Sequence, residues 1–394
     1  MLGVKYVAHG NASGYGIAAL AYIRALHNAG VPVCSSFIRR PGQPEDEPYL
    51  SQLERAADLD ASFADMLATV RATAQAIAYD TVLVHSSPEY CRLFAEAGKR
   101  LVACTVWETD ALPGHWPELL AAADPILVPS QFNAELFMRS GVTRPVRVVP
   151  HIRRHAWCES AREDAVTLRR RMGIPEDHFV FYTIGSWDPR KAVGELIDVF
   201  AREFSAEDRV TLLVKTSATV ESVPAEVAFG PSVDVRAKRI IAAASRDTAR
   251  KPPNVVRVAG DISARMLDAI HAAGDAYASL THGEAWGLGA FDAATLGKPV
   301  IITGWGGQLD YLGRDYPGLV RYEMTPVKDW LPFPGYRPTQ RWASADRHHA
   351  AQLMRAAVAR DRAMLDAAAS ASETIVERYA EPVVARLLLA AING

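Results

Sequence analysis

The sequence predicts an α/β protein of two doubly wound, parallel-sheet domains, and three observations carry that reading. Short apolar runs of strand length alternate with helix-length stretches along nearly the whole chain. At 394 residues the chain is about twice a typical domain, so two cores are expected rather than one. The alternation lapses once, between residues 152 and 175, where arginines and acids crowd around a single helix-like patch. The expected division is a first domain over 1–152, a connector over 153–175 and a second domain over 176–372.

Composition excludes several classes of function. Hydrophobic residues make up 49% and charged residues 22%, the balance of a globular protein. A net charge of −2 gives no overall field to draw the chain to nucleic acid or anionic lipid. No apolar run approaches the roughly 18 residues of a membrane span, and the first residues enter a strand without the layout of a signal peptide. Cys34, Cys91, Cys104 and Cys158 lack paired metal-ligand spacing and read as reduced thiols, so a cytoplasmic location is expected.

In the first domain, residues 4–8 form an apolar strand, and a loop over 9–16 leads to a helix over 17–28 that stops at Gly30. Gly14-x-Gly16-x-x-Ala19 fits a dinucleotide fingerprint, but the next strand, 31–37, lacks the acid that would hold an NAD ribose. His9, Gly14, Tyr15 and Gly16 are candidates to hold a sugar acceptor or a donor phosphate; the plainer alternative is a tight strand-to-helix turn. A Pro- and acid-rich loop over 40–48 and a helix within 53–79 follow. Strands are expected at 81–85, 101–106, 126–128 and 146–149, with helices over 88–97 and after Ser130. Glu108 and Asp110 come just after the 101–106 strand. Ligand groups in parallel sheets lie beyond the carboxyl ends of strands, so both acids are candidates to face a cleft. Capping the next helix is the alternative for Asp110.

The second domain opens with a strand at 179–184, a loop over 185–191 and a helix over 192–204. Arg190 and Lys191 stand at the mouth of that helix, where side-chain charge and backbone N–H groups converge on an anion. A strand over 210–215 ends in Lys215, which would be costly to bury unpaired and is expected to face the donor. Residues 220–251 read as an insertion with a basic helix; a strand at 254–258 and a helix at 264–273 follow. Arg169-Arg170-Arg171, in the connector, reads as a solvated helix face. A last strand is expected at 317–322, a proline and aromatic packing loop at 330–336, and alanine-rich helices over 345–370 and 373–392.

Residues 275–312 carry the densest chemistry. A strand at 276–280 runs into the polar loop Thr281-His282-Gly283-Glu284, then a helix over 286–296 closed by Gly297, then a strand at 299–303. Glu284 precedes the helix and Asp292 lies about two turns along it. Gly287 and Gly289 thin the first turn and leave a bare, positive helix start. Acid, bare helix start and second acid suit a diphosphate with a hydroxylated sugar at each end; a polar loop leading to a solvated helix face is the plainer alternative.

The ordered set Glu284-Ala285-Trp286-Gly287-Leu288, Asp292-Ala293, Gly297-Lys298-Pro299-Val300 and Gly306-Gly307 resembles the donor site of retaining glycosyltransferases of the GT-B architecture, family 4 in particular. Trp107-Glu108-Thr109-Asp110 and the runs over 123–130 and 146–151 are similar to the acceptor domain of the same enzymes. The chain departs from the pattern at Asp292, where the family usually has glutamate, and at Ser186, where the family has an arginine. The resemblance implies two Rossmann-like domains facing a cleft, with a final helix (about 373–394) crossing back to the first. It implies a nucleotide-diphosphate sugar gripped by Lys191, with Ser186 in the place of the family's arginine and Arg190 as its substitute, by Trp286 and by the N–H groups near Gly287 and Leu288; Lys215, where the family often has glycine, is a donor candidate on its own chemistry. Gly260 and Ile262 would meet the base, Asp292 the ribose and Glu284 the hydroxyls of the transferred sugar. Glu108 would assist the acceptor, which His9, Gly14, Tyr15, Gly16 and Asp110 would line.

The expected activity is retaining, metal-independent transfer of a hexosyl group to a hydroxyl acceptor in glycan or glycoconjugate biosynthesis. No Asp-x-Asp metal motif ends a strand, so neither a divalent metal nor another cofactor is expected. The expected partners are the donor and a glycan, lipid-linked or small hydroxyl acceptor, with no nucleic acid; peripheral membrane contact is compatible with the sequence. Two alternatives stay open: a non-hydrolysing nucleotide-sugar epimerase of the same fold, and a nucleotide-sugar-binding protein with a degraded site.

Overall fold

The computed structural model describes residues 1–10, 13–38, 62–154, 160–219, 232–328 and 335–394, with 62–67 described by backbone alone. The expected loop at 40–48, Cys158 and residues 330–334 of the aromatic loop lie outside the described residues. The chain divides into two units. One comprises Met1–Trp107, Ala111–Ala156 and Val376–Gly394, and the other Glu108–Asp110 and Trp157–Ile375.

The first unit is built on β1 (Val4–His9), β2 (Val33–Ile38), β3 (Thr81–His85), β4 (Arg100–Cys104), β5 (Ile126–Val128) and β6 (Val146–Val148). All pair in parallel, in the order β2-β1-β3-β4-β5-β6. Parallel strands covered on both faces read as near-continuous apolar runs; β3, buried at every position, carries Val82-Leu83-Val84 between Thr81 and His85. The core joins Tyr6, Tyr22, Ile23, Leu26 and Leu83 to Val384, Leu388 and Ile392 of the last helix, Glu381–Asn393. That helix is tied to Gly14–Asn28 by Glu381, which accepts from Arg24 at 2.7 Å and from Asn28 at 2.6 Å.

The second unit holds β7 (Phe179–Ile184), β8 (Val210–Thr216), β9 (Asn254–Ala259), β10 (Ala276–Ser279), β11 (Val300–Thr303) and β12 (Leu319–Val320). They form a parallel sheet in the order β12-β11-β10-β7-β8-β9. The chain builds outward from β7 to β9, then returns to β10 and builds the other way. β7 and β10 therefore flank a topological switch point, where the loops beyond their carboxyl ends diverge and leave room for a ligand. Phe181, Phe200 and Phe204 anchor the core beneath it.

Several expectations change. In place of a strand over 317–322, β12 has two residues and is followed by an antiparallel pair, β13 (Tyr322–Pro326) and β14 (Arg341–Ala345). β13 is polar and largely exposed, so it offers no apolar alternation to read. The single helix over 345–370 is two, Arg347–Val358 and Arg362–Arg378, parted by Arg360 in the left-handed region at φ 55°. The only local mark of that break is Asp361, whose carboxylate caps the second helix by accepting from Met364 N–H at 3.0 Å; the stop itself lacks the usual glycine. The helix over 88–97 shrinks to a 3₁₀ turn, Pro88–Tyr90, and Cys91–Phe94. Arg169, expected to face water, instead donates to the Ala273 carbonyl at 2.6 and 3.0 Å and pairs with Asp275 at 3.1 Å. It fastens the Ala161–Arg171 helix to the Ala264–Ala273 helix.

Candidate functional site

At the β7/β10 switch point two loops are sewn together by their backbones. His282 N–H donates to the Arg190 carbonyl at 2.7 Å, and the Thr281 hydroxyl donates to the same oxygen at 3.2 Å. Gly306-Gly307 closes underneath, with Gly307 N–H donating to the Glu284 carbonyl at 2.8 Å. Gly306 adopts φ 127°, and a Cβ there would stand 2.6 Å from that same oxygen, so only glycine fits. At Gly283 a Cβ would lie 2.2 Å from the Glu108 carbonyl, which lets the Glu108–Asp110 segment lie against this loop.

These constraints bring two cations and two carboxylates together. Lys191 Nζ donates to both oxygens of Glu284, at 2.6 and 2.8 Å. The Arg190 guanidinium donates to the Gly283 carbonyl at 2.7 Å and lies 3.5 Å from Glu284 Oε2 and 3.7 Å from Glu108 Oε1. Asp188 shapes the loop: one oxygen accepts from Lys191 N–H at 2.9 Å and the other from the Ser186 hydroxyl at 2.6 Å. Burial alone would push the Glu284 carboxyl up; the charges of Lys191 and Arg190 outweigh it and hold the group below the usual carboxylate range. Burial likewise disfavours the Arg190 charge, and Glu108, Tyr336, Glu284 and Asp188 more than reverse that.

The hairpin that the sequence conceals supplies the rest. Tyr336, just ahead of β14, donates its hydroxyl to Glu108 Oε2 at 3.1 Å. Trp342 stacks on His282 with ring centroids 4.6 Å apart. His282 Nδ1 lies 2.6 Å from the Ala343 carbonyl, and Nε2 lies 3.2 Å from Glu195. Asp110 caps no helix; it exchanges two hydrogen bonds with Arg341, through its N–H at 2.9 Å and its carboxylate at 2.7 Å.

The helix after Glu284 runs over Leu288–Thr295, two residues later than its expected start at 286, with Gly287 as its cap at φ 85°. Trp286 is buried against Phe291 and Tyr311, with centroids 5.1 and 5.2 Å away, so its ring is a core element. Gly289 does more than thin the helix start. A Cβ there would come 2.9 Å from the Tyr277 hydroxyl and 3.3 Å from the Ile184 carbonyl, so the glycine lets the helix settle on β7 and β10. Asp292 is buried, with Oδ2 3.8 Å from His271 Nε2. Lys215 is the penultimate residue of β8, which ends at Thr216 and not at Lys215; it pairs with Ile184, and its carbonyl accepts from Gly185 N–H at 3.1 Å. Gly260 turns at φ 87°, and Ile262 is half-buried just before the Ser263 cap.

In the first unit the switch point falls between β1 and β3. There His9 Nε2 meets the Ser86 hydroxyl at 2.8 Å, and the Tyr15 hydroxyl lies 3.3 Å from that of Thr105. Gly14 and Gly16 lie in the first turn of the Gly14–Asn28 helix, not in a loop, and the Gly16 N–H is taken by the Ser13 hydroxyl at 3.3 Å. Beneath them His85 accepts or donates at Nδ1 to the Tyr6 hydroxyl at 2.8 Å and stacks on Tyr22. Burial lowers the pKa of His85 to about 3 and that of His151 to about 4, so both rings are neutral at pH 7. Among the described residues no group of three or more metal-ligating side chains gathers, and no helix is long and apolar enough to cross a membrane.

No family model matches the chain, and no curated protein matches it. Solved structures do. HepE of Anabaena, in complex with UDP and glucose, is 14% identical over all of both chains, with a TM-score of 0.63. Sucrose-phosphate synthase of Thermosynechococcus elongatus is 15% identical over 100% of this chain and 98% of its own, with a TM-score of 0.66. OtsA is 11% identical over 100% and 99%, with a TM-score of 0.66. These neighbours are GT-B proteins, and the two parallel six-stranded sheets with alternating helices give this chain the same fold.

Proposed function

We propose that this protein is a retaining, metal-independent glycosyltransferase resembling family 4, which moves a hexosyl group from a nucleotide-diphosphate sugar to a hydroxyl acceptor. The observation that carries the reading is the meeting of Lys191, Arg190 and Glu284 at the switch point of the second sheet. A diphosphate needs fixed positive charge and a sugar needs oriented acceptors, and one ion-paired cluster offers both. A donor entering there competes with Glu284 for Lys191. The displaced carboxylate then accepts from the sugar hydroxyls. The fold shared with HepE, whose structure holds UDP and glucose, supports a nucleotide-sugar donor.

In the reaction the bond between the sugar carbon and the phosphate oxygen breaks, and negative charge grows on that oxygen. Lys191, Arg190 and the N–H groups at Leu288 stabilise it, as preorganised donors do best in a site closed to water. The acceptor hydroxyl bonds to the same face of the sugar carbon and gives its proton to the leaving phosphate. Glu108 orients the acceptor. Asp292 holds the ribose, and the turn at Gly260 and Ile262 meets the base. Two carboxylates sharing Arg190 also suit an epimerase, which would act on the nucleotide sugar with no acceptor. A screen of nucleotide sugars by thermal shift, followed by assays of nucleoside diphosphate release, separates the readings. Release that requires an added acceptor supports transfer; epimerised donor without an acceptor, or no bound donor at all, contradicts it.

A further inference from the structure

We propose that Tyr336 is a positioning residue for the transfer, holding the Glu108 carboxylate in the one orientation from which it can orient an acceptor hydroxyl. The inference rests on the transferase reading above. Glu108 lies in a segment with no helix or strand of its own, so its carboxylate is placed by its partners. Those partners divide the group between them. Arg190 stands 3.7 Å from Oε1, too far for a hydrogen bond, while the Tyr336 hydroxyl donates to Oε2 at 3.1 Å. The hydroxyl is thus the closer of the two constraints. Burial, reinforced by Glu108, raises the Tyr336 pKa well above its ordinary value, so the phenol keeps its proton and remains a donor at working pH.

The carrier of Tyr336 is itself braced. Arg341 at the start of β14 is bound both ways to Asp110, two residues from Glu108. Trp342 stacks on His282, two residues from Glu284. One hairpin therefore sets both site carboxylates, Glu108 directly and Glu284 through its loop. Tyr336→Phe removes one oxygen and leaves the ring packing in place.

The test is a kinetic cycle of wild type, Tyr336→Phe, Glu108→Gln and the double variant, with UDP affinity and thermal midpoint measured alongside. The proposal predicts a kcat about ten- to a hundredfold lower for Tyr336→Phe, the scale of a lost hydrogen bond to a charged group. It predicts unchanged UDP affinity, and no further loss of turnover when the substitution is added to Glu108→Gln. Turnover within twofold of wild type, an equal loss in both backgrounds, or a fall in UDP affinity that parallels the fall in kcat each overturns it. If the phenylalanine variant fails to fold, Glu108→Asp, which draws the carboxylate back from the hydroxyl, is expected to show the same split between kcat and UDP affinity. A wild type that transfers from no donor overturns the transferase reading, and this role with it; a working wild type matched by Tyr336→Phe overturns this role alone.

Discussion

Lys191 Nζ sits between the two carboxylate oxygens of Glu284, at 2.6 and 2.8 Å, with the lysine side chain 22% exposed and the glutamate 10%. Breaking a buried pair by removing one partner costs about 3–5 kcal/mol, because the other charge is left without compensation. Lys191→Met is expected to approach that loss, read as a shift in the urea midpoint, and to lower turnover about a hundredfold or more. Wild-type-like stability and kinetics would remove Lys191 from the site.

The same pair sets an acid limb. The folded-state pKa of Glu284 lies below its unfolded value, so its contribution is present above about pH 4.3 and is lost as the pH falls through the folded pKa. Urea unfolding between pH 7 and pH 3 should show a shallower acid loss in Glu284→Gln than in wild type. Parallel curves would mean the carboxylate is not held by its cations.

A second pH effect comes from the first unit. The unfolded chain takes up protons on histidine near pH 6.5, while His85 and His151 resist to about 3 and about 4. Stability is therefore complete above pH 6.5 and falls as the pH drops toward those values, by at most about 1.4 kcal/mol per pH unit for each ring. His85→Phe should flatten the slope between pH 6.5 and 5. An unchanged slope would count against a neutral buried ring.

Gly289→Ala should destabilise the protein by about 1–3 kcal/mol, the usual cost of overpacking, since its Cβ would press on the Tyr277 hydroxyl at 2.9 Å. Tyr277→Phe, which removes that oxygen, should restore part of the loss in the double variant. Simple additivity of the two substitutions would show that the clash lies elsewhere.

The inner strands of the two parallel sheets, such as β3, β10 and β11, are legible in the sequence because they are buried at every position and read as short, largely apolar runs. Lys191, Arg190 and Glu284 are legible because each stands just beyond a strand end, in a loop whose composition signals an anion or a sugar. Tyr336 is not: it meets Glu108 from 228 positions away, through a hairpin whose first strand is exposed and polar. Gly289 reads locally as a thinning of the helix start, whereas its reason is tertiary, the approach of Tyr277 and Ile184. Trp286 reads as a donor residue by its position in the motif, and the structure turns its ring into the core. Short motifs report backbone courses well and side-chain directions poorly.

The most direct measurement is calorimetric titration, into wild type and Lys191→Ala, of the nucleoside diphosphate whose sugar the thermal-shift screen selects. The account predicts saturable binding by wild type and an affinity at least about tenfold weaker in the variant, because the diphosphate forfeits one charge-assisted hydrogen bond. Equal affinity in the two proteins would contradict it.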